Sequence, residues 1–189
     1  MTIKDVLPTG ARSRAGHYEI LGETYAKFEF FENGWNPYTR FLDIDKVDVV
    51  LRRRQSGSGS VLYREIQVKF GKLYDVGSAW ERELFDVTSW RFFKEAEFDR
   101  QIDQRNFFVA YVLSRDKDYR DDIFIFPVRD FAEIIRCGIP SKDHQRKVYI
   151  SRSRTESARW FLRRKNRFAT VAECLEVTQY RRNFGALMQ

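Results

Sequence analysis

Apolar residues recur at near-helical spacing from about Gly16 to Glu32, where Ile20, Tyr25, Phe28 and Phe31 lie among Glu and Lys, and this predicts a first helix ended by Asn33-Gly34. A short strand is expected over Tyr38–Ile44. Residues 47–51 and 61–70 are β-branched or alternating, and the polar Gly/Ser run Gln55–Ser60 between them has the composition of a turn. The pair therefore reads as a β-hairpin. From about Ser78 to Gln104 the apolar residues Trp80, Leu84, Trp90, Phe93 and Phe98 sit among many charges, which suggests one long or two short helices covering a sheet. Two near-continuous apolar runs, Phe107–Leu113 and Ile123–Val128, have strand length and are separated by the polar turn Ser114–Asp122. A short helix is predicted over Asp130–Cys137, closed by Gly138 and Pro140, then a strand at Val148–Ile150 and a basic helix over Thr155–Arg167. The order of elements implies an α/β fold with a mixed central sheet flanked by helices.

Composition narrows the class. A chain of 189 residues with 43% hydrophobic and 16% aromatic residues can bury a real core, and its length suits one domain. The division expected is a core over residues 1–140 and a basic, helical C-terminal extension over 141–189 packed on it. Two cysteines, Cys137 and Cys174, form no disulfide framework and have no ligand neighbours for a zinc site. No apolar run approaches the roughly 20 residues of a membrane span, and no apolar signal segment is visible in the first 30 residues. The expectation is a soluble, cytoplasmic protein.

Charge is unevenly placed. Residues 146–189 hold eleven Lys and Arg against three Glu, a balance of +8, which leaves −1 on the first 145. A basic end on a neutral body points to a polyanion, nucleic acid before membrane, against the plainer reading of a solvated basic helix face. Arg52, Arg53 and Arg54 at the hairpin tip and Arg163, Arg164 and Lys165 in the basic segment are the candidate nucleic-acid contacts.

Common enzymatic constellations are missing. Only His17 and His144 occur, so there is no HExxH motif and a poor basis for a catalytic triad, and Ser56–Ser60 lacks the Lys of a phosphate-binding loop. What remains lies on the hairpin. The two-residue period of a strand sends Glu65, Gln67 and Lys69 to one face and Ile66, Val68 and Phe70 to the other. On the partner strand, Asp48 sits inside the apolar run 47–51, where a carboxylate without a cation or hydrogen bonds is expensive. The plainest compensation is a cross-strand ion pair with Lys69.

This arrangement resembles the PD-(D/E)XK nuclease superfamily, the restriction-endonuclease-like fold, over roughly residues 16–126. The residues that carry the resemblance are a helix Glu in Gly22-Glu23-Thr24-Tyr25-Ala26, the Asp strand Asp45-Lys46-Val47-Asp48-Val49, and Glu65-Ile66-Gln67-Val68-Lys69, similar to the variant with Gln in the second acidic position. The resemblance implies a restriction-endonuclease-like core and divalent-metal-dependent hydrolysis of DNA phosphodiesters. Glu23, Asp48, Glu65, Gln67 and Lys69 would form the catalytic set, and Asp48, Gln67 and Glu65 would hold Mg2+ or Mn2+. Gln67 brings an oxygen but no charge, so Glu23 or Glu65 would supply what is missing. Glu65 lies about 6.5 Å along the strand from Gln67, a distance suited to an outer-shell or second-metal role. A homodimer is expected, since one site per chain cuts one strand. The alternative is a non-catalytic nucleic-acid-binding module with a degenerate nuclease fold; a small-molecule enzyme has no cofactor or nucleophile signature to support it.

Overall fold

The computed structural model describes residues 11–39, 46–115 and 118–189, with side chains for all of these except 11–16 and 118–121. The chain runs α1 (Ala11–Glu32), β1 (Asn36–Thr39), β2 (Val49–Arg54), β3 (Val61–Asp75), α2 (Ala79–Leu84), β4 (Phe85–Lys94), β5 (Phe107–Arg115), β6 (Asp118–Pro127), α3 (Val128–Cys137), β7 (Ile139–Pro140), β8 (Gln145–Ser153), β9 (Trp160–Arg163) and β10 (Leu175–Glu176). The fold is mixed α/β, with a large, mostly antiparallel sheet system and few helices.

The fifteen-residue strand β3 belongs to two sheets. Its first part pairs antiparallel with β2 and parallel with β5, giving the order β1-β2-β3-β5-β6. Its end, Leu73–Asp75, pairs with β4, which continues antiparallel into β8, β9 and β10, with β7 also on β8. Gly71 stands where β3 passes from one sheet to the other. A Cβ there would lie 2.5 Å from Ser89 Oγ, 2.6 Å from the Tyr111 hydroxyl and 2.8 Å from Leu113, so only glycine lets β4 and β5 approach β3 this closely.

The alternation of β2, β3, β5 and β6 builds two cores on opposite faces of the first sheet. One face (Val49, Leu51, Ile66, Val68, Ala110, Val112) packs under α1 through Ala26 and Phe30. The other (Val109, Tyr111, Phe124, Phe126) packs against α3 and the inner face of the second sheet, including Phe93, Val148, Ile150 and Trp160. A smaller cluster, Phe85, Phe161 and Phe168 with Trp80 and Leu84, caps part of the second sheet's outer face.

The hairpin, the paired strands β5 and β6, and the helix ending at Gly138 are as expected. Three expectations fail. Residues 78–104 form neither one long helix nor two short ones: after the short helix α2, residues 85–94 are strand β4, which pairs with β8 along nearly its whole length. Thr155–Arg167 is not a basic helix, because Trp160–Arg163 forms buried strand β9. The segment after residue 140 is therefore no helical extension; β8 and β9 lie in the middle of the second sheet. The expected strand at Tyr38–Ile44 is described only as far as Thr39; residues 40–45 lie outside the described residues.

Candidate active site

Register brings the hairpin residues together. The Asp48 N–H donates to the Ile66 carbonyl at 2.9 Å, one residue before the Val49–Ile66 pair, which puts Asp48 across from Gln67. The Asp48 Oδ2 accepts the Val68 N–H at 2.6 Å, so the carboxylate is pinned to β3 while it lines a cavity of about 360 Å³. Gln67, Lys69, Glu23 and Glu19 line the same cavity, with Arg91 from β4. Gln67 is only 7% exposed, and its Oε1 is buried without a hydrogen-bond donor. Leaving such a carbonyl unmade costs about 1–3 kcal/mol, which a cation or water at this spot would recover.

Lys69 does not pair with Asp48 in the expected way. Its ammonium is 3.0 Å from Glu97 Oε1, with both side chains largely buried. The Glu97 carbonyl also accepts Lys46 Nζ at 2.5 Å, and the Phe98 ring lies within 6.0 Å of Lys69 Nζ. Glu97 follows β4 in a turn, in a segment expected to be helical, and nothing in the sequence marks it as Lys69's partner. Arg91 was equally invisible: on β4 it donates to the Phe70 carbonyl at 3.0 Å and faces the cavity.

Glu23 reaches the cavity from α1 and is also 3.8 Å from Lys27, one turn on. Glu65 does not line the cavity; it pairs with Phe107 of β5, and its N–H donates to the Asn106 carbonyl. Among the described residues no three His, Cys, Asp or Glu side chains stand close enough to form a ligand group by themselves. The donors fit a hard cation that keeps several waters: one carboxylate, one orphaned amide oxygen, and further carboxylates across the cavity.

The proposed phosphate contacts sort differently. Arg163 is 3% exposed; it donates to Ser151 Oγ at 3.0 Å and pairs with Glu81, so it is a structural cation and not a surface one. Lys165 pairs with Glu173, whose carboxyl is held down to about 2 by Lys165 and by the Ala169 and Thr170 N–H groups. Arg53 donates to the Asn33 carbonyl and lies over Trp35. Arg54 and Arg164 are exposed and Arg52 is half-buried. At least seven of the eleven cations in residues 146–189 are ion-paired, among them Arg152 with Asp86, Arg181 with Asp122 and Arg182 with Glu29. Five of these seven pair with carboxylates of the first 145 residues and two with glutamates of the same segment, so the +8 is no measure of a phosphate-binding surface.

No family model and no curated protein matches the sequence. Among solved structures, the chain resembles a bacterial homing endonuclease at 14% identity and a TM-score of 0.37, over 62% of this chain and 72% of that one. It also resembles a Holliday junction resolvase of the archaeal hyperthermophile Archaeoglobus fulgidus at 13% identity and a TM-score of 0.40, over 85% of this chain and 93% of that one.

Proposed function

We propose that the chain is a divalent-metal-dependent endonuclease that hydrolyses DNA phosphodiester bonds in the cavity formed by Glu23, Asp48, Gln67 and Lys69. The observation that carries this reading is the buried, unpartnered Gln67 carbonyl directly across β2–β3 from Asp48. Asp48 and Gln67 would hold Mg2+ or Mn2+, with Glu23 adding charge from α1. A cation so bound polarises a phosphoryl oxygen and lowers the pKa of its water. Lys69 sets a positive charge at the cavity wall, where negative charge grows on the phosphoryl group, and Glu97 fixes its direction. Arg91, anchored through the Phe70 carbonyl, adds a second cation able to hold a phosphate. Glu65, which does not line the cavity, is left out of this proposed ligand set.

The same reading includes a homodimer, since two copies are needed to cut both strands. An exposed apolar stripe on α1 supports it: Ile20, Phe28 and Phe31 are 69%, 59% and 64% exposed. A non-catalytic DNA-binding module is the competing reading, favoured by the single carboxylate beside Gln67 and by the Lys69–Glu97 pair.

Cleavage of supercoiled, linear, branched and single-stranded DNA with Mg2+ or Mn2+ separates the two. The nuclease reading expects metal-dependent cutting that Lys69→Ala reduces at least about a hundredfold, the scale of losing one preorganised charge. Binding without cutting in every metal and substrate supports the competing module.

A further inference from the structure

The outer face of the second sheet divides in two. At one end α2 and the segment around Phe168 cover it. At the other, β4 places Trp90 and Phe92 on outward positions, each 41% exposed, and Tyr74 at the end of β3 is equally open. The register puts Tyr149 opposite Trp90 and Lys147 opposite Phe92, so the rings gather on one surface. Ring centroids are 6.4 Å apart for Tyr74 and Trp90, nearly parallel, and 5.8 Å apart for Trp90 and Phe92, edge to face. Two ammonium groups lie among them: Lys147 Nζ is 4.2 Å from the Trp90 ring and 4.6 Å from Tyr149, and Lys72 Nζ is 5.5 Å from Tyr74.

We propose that this platform of Lys72, Tyr74, Trp90, Phe92, Lys147 and Tyr149 binds a single-stranded stretch of DNA by stacking its unpaired bases on the rings. Its ligand must present flat apolar faces and negative charge together. An unpaired strand does so, whereas a duplex shows phosphates but hides its base faces. Lys147 makes the exchange inexpensive. In the free protein its ammonium rests on the rings as a cation–π contact; when a base takes the ring, the long stem swings the charge to a neighbouring phosphate. Trp90 and Phe92 point to the outer face of β4, while Arg91 between them points to the opposite face and lines the candidate cavity, so the platform is a surface separate from that cavity. The proposal goes beyond the nuclease reading and does not need it, because stacking is read without metal.

Trp90 is the reporter. Trp35 and Trp160 are 1% and 0% exposed, and Trp80 packs in the cluster around Phe168. Titrating the full chain with an oligothymidine in EDTA is expected to quench the fluorescence of Trp90. Trp90→Phe should abolish the quench but keep most of the affinity, measured by anisotropy of a labelled oligothymidine. Trp90→Thr should weaken binding about tenfold, and Lys147→Ala should lower the salt slope of single-strand binding by roughly 0.7. Duplex of the same length should bind more weakly to the platform and be insensitive to Trp90→Thr. Folding of each variant is checked by circular dichroism, and Trp90→Phe preserves the aromatic surface if Trp90→Thr does not fold. Unchanged oligothymidine affinity in folded Trp90→Thr and Lys147→Ala overturns the proposal. So does a change of mass in light scattering on Trp90→Thr, which would assign the face to a second copy. A platform that fails while metal-dependent cutting persists leaves the nuclease reading standing.

Discussion

At the residue scale, the candidate site turns on what surrounds two side chains. Gln67 is buried with an unmet oxygen, and Lys69 is largely buried with a full partner in Glu97. Glu97→Gln keeps shape and an acceptor but leaves the Lys69 ammonium without its counter-charge. We expect a loss of about 2 kcal/mol in urea unfolding, below the cost of emptying a fully buried pair because the amide still accepts. Glu173 gives the clearest pH dependence. Its carboxyl falls from the ordinary 4.5 to about 2, first through Lys165 and then through two backbone N–H groups. A carboxyl depressed in the folded state stabilises fully above its unfolded value, and that stability is lost as pH falls from about 4.5 toward 2. Thermal unfolding across that window should show a steeper decline for the wild-type chain than for Glu173→Gln; equal slopes would remove Glu173 from the acid response. Asp122 acts oppositely, since burial pushes its carboxyl up despite Arg181, so its contribution favours folding at low pH and fades as pH rises through the raised value.

At the scale of elements, β3 carries most of the architecture and most of what was legible. Its period of two and the Gly/Ser turn before it disclosed the β2–β3 hairpin and set Gln67 and Lys69 on one face, with Asp48 near them. The helix α1 was legible, but its buried side was not: Gly22, Ala26 and Phe30 face the sheet while Ile20, Phe28 and Phe31 face out. Small residues look neutral in a hydrophobic pattern, yet they allow close approach; a Cβ on Gly22 would stand 3.1 Å from the Cβ of Phe70. Strand β4 was misread because its outward positions hold Trp90 and Phe92, which erases the polar alternation that marks a half-buried strand. Strand β9 was hidden because Arg163 is buried on a Glu81 that lies 82 residues away. Partners so distant leave no local trace, and the same holds for Glu97 and Arg91. Gly71 tests the junction of the two sheets. Gly71→Ala places a methyl group into Ser89, Tyr111 and Leu113, and overpacking of this kind should cost about 1–3 kcal/mol, read as a lower urea midpoint with unchanged slope.

At the scale of the whole molecule, the basic end is tied to the near-neutral body by ion pairs such as Arg146–Glu95, Arg152–Asp86 and Arg182–Glu29. Arg54 and Arg164 are exposed, and Lys72 and Lys147 stand at the aromatic face. If α1 is the surface that joins two copies, Phe28→Lys with Phe31→Lys should convert a dimer to a monomer in light scattering without lowering the thermal midpoint of the monomer; a wild-type chain that is monomeric both free and on DNA contradicts the dimer. The central claim concerns Asp48 and the cation it would hold beside Gln67. Calorimetric titration of Mn2+ into the wild-type chain and Asp48→Asn tests it most directly, because the substitution keeps shape and removes only the charge. At least tenfold weaker Mn2+ binding by folded Asp48→Asn is predicted, with loss of any cutting and retention of DNA binding. Equal Mn2+ affinity in the two proteins would show that Asp48 is a structural acid pinned to the Val68 N–H, and the nuclease reading would fall with it.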